Sequence, residues 1–223
     1  MTEHLKYLSR RHFLAAGFGV VGAVAMSGIV APAAAEAAIS TGATENGWPV
    51  IKDAQVHRIE GSNVSVHLLQ GDVALVLLHV ARRFHYEIDA LRNDVPNEIT
   101  GHVALRAPAQ PYESNYASGT AIAIRPETYP VGVSDGFFPH ELIVIRDILA
   151  ECDGVVRWGG DEHVPKQSHF QIDLPPDDVR IGTLSAKIGL WNRTPGKGAG
   201  AEDPFRPERI KAARQLEQKQ RTR

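Results

Sequence analysis

The spacing of apolar residues changes several times along this chain, and each change marks an element. From Asn63 to Gln70, N-V-S-V-H-L-L-Q, apolar side chains at Val64, Val66 and Leu68 give the partial alternation of a strand, broken by Leu69. Asp72 then stands at a helix-start position, and the run A-L-V-L-L-H-V-A-R-R-F-H after it suits a buried helix. His102 to Arg106 and Thr120 to Ile124 read as short strands, separated by turn signals at Pro108, Pro111 and Gly119. Pro139 to Cys152, P-H-E-L-I-V-I-R-D-I-L-A-E-C, has apolar residues at helical spacing. Val155 to Trp158 and His169 to Asp173 read as the strands after it, and Pro175-Pro176 ends that run. Thr194 to Pro207 is a Gly- and Pro-rich linker, and Pro207 to Arg223 is polar and basic, a surface helix or a frayed tail. Strands and helices segregate rather than alternate, which predicts an α+β domain.

The N-terminal residues carry a different signal. Ser9-Arg10-Arg11-His12-Phe13-Leu14 places paired arginines before an apolar run from Phe13 to Val30, and the small residues of Ala31-Pro32-Ala33-Ala34-Ala35-Glu36-Ala37-Ala38 follow. That is the order of a charged region, an apolar region and a cleavage zone. The S-R-R-x-F-L pattern resembles a twin-arginine export signal. The alternative is an uncleaved anchor, but Gly17, Gly19, Gly22 and Gly28 dilute a run already marginal for a membrane span. The expected organisation is a signal peptide over 1–38, a lead over 39–62 that is flexible up to about Gly47, a domain over 63–193, and the linker and tail over 194–223. After cleavage no integral span remains, and the protein is expected in the periplasm, cell wall or extracellular space.

Composition narrows the function. The 223 residues are 43% hydrophobic and 22% charged, ordinary for a globular domain. A formal net charge of −2 gives no electrostatic basis for nucleic-acid binding. A single cysteine, Cys152, excludes an intramolecular disulfide, and its helical apolar setting reads as a buried structural thiol.

Three short motifs carry the candidate chemistry. Ser114 to Ala123 reads S-N-Y-A-S-G-T-A-I-A, Trp158 to Asp161 reads W-G-G-D, and Lys166 stands three residues before His169-Phe170. In order and spacing they resemble the M15 family of bacterial cell-wall zinc peptidases, of the D-alanyl-D-alanine carboxypeptidase and L-alanyl-D-glutamate endopeptidase type. That family carries S-x-H-x-x-G-x-A-x-D, W-G-G-D, and an acidic residue three positions before His-Phe. The resemblance covers about Arg82 to Asp173. It implies the hedgehog/DD-peptidase fold, an antiparallel sheet with flanking helices, and a zinc held by the His and Asp of the first motif and the His of the last. The acidic residue before that His would serve as general base on the zinc-bound water.

This sequence departs from the pattern where the chemistry lies. Tyr116 and Ala123 stand at the first two ligand positions, Lys166 stands at the base position, and His169 alone survives. A neutral phenol is a poor ligand, alanine has no donor atom, and an ammonium repels a cation. The expectation is therefore a protein without cofactor that recognises a peptidoglycan stem peptide or an envelope protein without cleaving it. The resemblance implies Arg106 as a carboxylate partner, through bidentate guanidinium recognition. Lys166 would hold an anionic group from the vacant cation position or be a solvated loop lysine. Ser114 would touch ligand or cap a turn, and Tyr116 would plug the pocket.

Two rival readings accompany this one: a working zinc peptidase with unusual ligands, such as a shifted site on His163 and His169, and a structural envelope protein with a closed pocket. The remaining candidates have plainer readings. His163 is an exposed loop histidine, His140 a helix-start residue and Asp161 a turn residue. His79, His85 and His102 are packing or surface histidines, and Arg82-Arg83 are surface charges.

Overall fold

The computed structural model describes residues 42–104 and 108–221, all within one compact unit. The expected export signal over residues 1–38 and Arg106 both lie outside the described residues. The protein is a mixture of helices and two small antiparallel sheets, in agreement with an α+β assignment. Among the described residues no helix is long and apolar enough to cross a membrane.

Strands β1 (Gln55–Arg58) and β2 (Ser65–Leu68) form a hairpin, with Val66 and Leu68 buried as the alternation predicts. Helix α1 (Asp72–Glu87) follows, with Gly71 at its N-cap and Asp72 in its first turn. The second sheet has the order β3-β4-β6-β5, where β3 is Ile99–Thr100, β4 Ala121–Ile124, β5 Val156–Trp158 and β6 His169–Ile172. Helix α2 (Pro139–Glu151) stands between β4 and β5 in the chain.

The register of this sheet separates two chemistries. Ala123 pairs with His169, Ala121 with Gln171, and Gln171 with Arg157, so these residues share one face. Ile122, Ile124, Phe170, Ile172, Val156 and Trp158 point the other way and join α1 and α2 in the main core. The opposite, polar face is covered by a 3₁₀ segment, Pro111–Ser118, which seats Tyr116 against Ala121 and Ala123.

Several expectations are corrected. His102–Arg106 is not a strand over its described residues: the pairing lies at Ile99–Thr100, and the His102 amide instead donates to the His67 carbonyl (2.7 Å), drawing the chain toward β2. The lead is folded from Ala43 onward. Thr44 to Trp48 make a hydrogen-bonded turn, Ala43 bridges Pro49, and the Trp48 indole donates to the Leu174 carbonyl (2.8 Å). Helix α3 (Val179–Arg193) occupies a stretch to which the sequence reading gave no element. Its signals were present: Asp178 caps it by accepting from the Arg180 amide (3.0 Å), and Ile181, Leu184 and Ile188 bury one stripe. The tail, by contrast, takes the helical one of its two expected forms, α4 (Pro207–Arg221), and the Thr194–Pro207 linker leads into it.

Arg83 is not a surface charge. It is 1% exposed and bound to Glu87 (2.6 Å), Asp147 (2.8 Å) and Glu151 (3.1 Å). Glu151 also takes the His79 ring at 2.7 Å, while Arg209 of α4 reaches Asp147 and Glu151 from the far side. The low hydration and fixed fork of guanidinium suit it to such a buried cluster.

Candidate functional site

Tyr116, Ala123 and His169, far apart in sequence, meet on the polar face of the β4/β6 pair. Two glycines make this approach possible. Gly119 ends the 3₁₀ segment at φ 68°, and a Cβ there would sit 2.7 Å from the Leu69 amide nitrogen. Gly159 lies so close to β6 that a Cβ would fall 2.6 Å from the Lys166 carbonyl and 2.8 Å from the His169 Cβ. Gly119 of S-x-x-x-x-G and the first glycine of W-G-G-D, Gly159, are thus positions where the backbones themselves come close.

The side chains then close a circuit. Tyr116 Oη lies 2.7 Å from His169 Nδ1, and His169 Nε2 lies 2.7 Å from Gln171 Oε1. Asn115 Nδ2 donates to the same Gln171 oxygen at 2.8 Å. An amide oxygen only accepts, so His169 Nε2 carries the proton, Nδ1 accepts, and the Tyr116 hydroxyl is the donor. Burial supports this state. His169 is 1% exposed, and loss of hydration lowers its pKa to about 3, with Lys166 pushing the same way. Tyr116 is 3% exposed, and burial followed by the Glu113 charge raises its pKa well above the ordinary phenol value. Imidazole and phenol therefore stay neutral, and both ring nitrogens are engaged.

Lys166 stands beside this pair. Its ammonium donates to Glu113 Oε1 at 2.6 Å and lies 5.0 Å from the centre of the Tyr116 ring. Glu113 Oε2 accepts from the amides of Ala109 (2.9 Å) and Gln110 (3.2 Å), so one carboxylate both starts the 3₁₀ segment and neutralises the lysine. Tyr112 closes the side, its ring 4.9 Å from that of His169 and its hydroxyl donating to the Val164 carbonyl. Lys166 is thus a buried, paired cation, with 9% of its surface exposed.

Ser114 is fully buried, and its Oγ accepts from the Glu45 amide at 2.9 Å. Asn115 Oδ1 takes the next amide, Asn46, and Asn46 Nδ2 donates to Thr120 Oγ1 and the Ile172 carbonyl. Ser114 therefore anchors the lead across the back of the site.

The other candidates do not join it. His163 and His140 are exposed. Asp161, more than a turn residue, is a buried carboxylate gripped by Arg146, which also lies 4.9 Å over the Trp158 ring. Among the described residues, no group of three or more His, Cys, Asp and Glu converges as a metal site would require. Cys152 is buried, and burial pushes its thiol pKa far up. The sequence reading missed Gln171, Glu113 and Asn115. Gln171 was the most accessible, since it lies two residues beyond His169 on the same strand face.

Compared with known proteins, the chain matches no protein-family model, no curated protein and no solved structure. The functional reading therefore rests on the motifs and on this geometry.

Proposed function

We propose that this is an exported, non-hydrolytic envelope protein on an M15-peptidase-like frame, recognising a peptidoglycan stem peptide or an envelope partner without cleaving it. The observation that carries the reading is the engagement of both His169 nitrogens, one by Tyr116 and one by Gln171. Zinc does not fit this donor set. Ala123 offers no ligand atom, the free lone pair of His169 is used by a phenol, and an ammonium stands at the base position.

A second reading, a structural envelope protein with a closed pocket, is supported by the burial of Tyr116 and by the pairing of Lys166 with Glu113. An external anion would have to displace Glu113 before it reached the ammonium. Calorimetric titration of the purified protein with stem-peptide fragments separates the two. Binding that weakens with Arg106→Ala and with Lys166→Glu supports recognition. Absence of binding to every fragment overturns stem-peptide recognition and favours the structural reading.

A further inference from the structure

We propose that α4 is an electrostatically held strap that opens as a unit and, when open, uncovers the free edge of the four-stranded sheet. The inference is independent of the chemistry at His169.

Its first support is how little apolar surface holds the helix. Ala213 is buried, Ile210 and Leu216 are half-buried, and most of the other positions are exposed. Charge supplies the rest of the grip. Arg209 binds Asp147 at 2.6 Å and Glu151 at 3.0 Å, Glu217 binds Arg146 at 3.2 Å, and Arg221 reaches Glu217 at 2.9 Å and Asp161 at 3.5 Å. A helix with few buried apolar contacts, joined through the Gly- and Pro-rich linker, is the kind of unit that opens locally before the core does.

The second support lies under its C-terminal end. The Asp173 amide donates to the Val155 carbonyl, so the alternation of an antiparallel ladder turns the peptide groups of Val156 and Trp158 away from β6, toward the open edge. Gln220, 4% exposed, reaches that edge and donates from Nε2 to the Val156 carbonyl at 2.9 Å. Its Oε1 is buried without a hydrogen-bond partner. The side-chain amide thus stands in for half of a neighbouring strand. It shields an edge that would otherwise be a template for strand pairing. Because Arg146 and Arg221 both reach Asp161, the strap also braces the loop that runs from Gly159 to Lys166.

Residue-resolved hydrogen–deuterium exchange on the full chain tests this. In the wild type, amides of α4 should exchange through a common opening, faster than those of α1 and β4. Glu217→Gln removes the pairs to Arg146 and Arg221. It should speed exchange in α4 and at the Val156 amide roughly three- to tenfold, with α1 and β4 unchanged. Glu217→Asp should recover part of the protection, and about 1 M salt should act in the same direction as the glutamine variant. Exchange of α4 only at the rate of α1, or acceleration spread equally over α1 and β4, would overturn the proposal.

Discussion

The Tyr116 hydroxyl donates to His169 Nδ1 across 2.7 Å, filling with a protein hydrogen bond the lone pair that a metal would need. Tyr116→Phe keeps the ring and removes the donor, leaving a buried imidazole nitrogen unsatisfied. The cost should be about 1–3 kcal/mol in denaturant unfolding. Phe170, on the core side of β6, should by contrast cost about 3–5 kcal/mol when changed to Ala, through cavity formation.

Acid should destabilise the protein in two steps. His169 has a folded-state pKa of about 3 against 6.5 when free, so between these values the unfolded chain binds a proton that the folded chain refuses. The His169 contribution therefore lowers stability as pH drops below about 6.5 and levels off near pH 3. Burial pushes Glu151 upward, but the His79 hydrogen bond and the Arg83 charge outweigh it and hold the pKa at about 2. Its contribution is present above about pH 4.5 and is lost toward pH 2. Unfolding midpoints measured across pH should show the first slope, and His169→Gln should remove it while leaving the second.

Lys166 and Glu113 should be strongly coupled. Lys166→Met strands a carboxylate that is largely buried, at a cost of about 3 kcal/mol or more. Adding Glu113→Gln should return much of that loss, and a double-mutant cycle by denaturant titration measures the coupling. Independent, additive costs would show that the pair does not act as one unit.

Arg83 should be the least replaceable charge in the described chain. Arg83→Met leaves Glu87, Asp147 and Glu151 short of a cation and should cost about 3–5 kcal/mol by thermal or chemical unfolding. His163→Ala and His140→Ala, both at exposed positions, should stay within about 0.5 kcal/mol.

The sequence revealed β2, α1, α2, β5 and β6 because each buries a face with regular period, and Gly119 because its backbone has to turn sharply. The family resemblance grouped Tyr116, Ala123 and His169, and these three lie together on the polar face of the β4/β6 pair, a proximity that the sequence alone does not show. Hidden from it were relationships set by register and depth. Gln171 matters because β6 places it beside His169, and Glu113 because the 3₁₀ segment brings it to Lys166. Arg83 looks like any helix arginine until α2 and α4 surround it with carboxylates. Helix α3 was overlooked although Asp178 and the Ile181, Leu184 and Ile188 stripe announce it. The low hydropathy of α4 hid its docking, because charge rather than apolar area attaches it.

The most direct test is the metal content of the full chain, purified without chelators, set beside that of Tyr116→His/Ala123→Asp/Lys166→Asp. The account predicts far less than one zinc per wild-type chain and near-stoichiometric zinc in the triple variant, where imidazole and carboxylate return to positions that already converge on His169. Stoichiometric zinc in the wild type, lost together with peptide hydrolysis in His169→Ala, would contradict it.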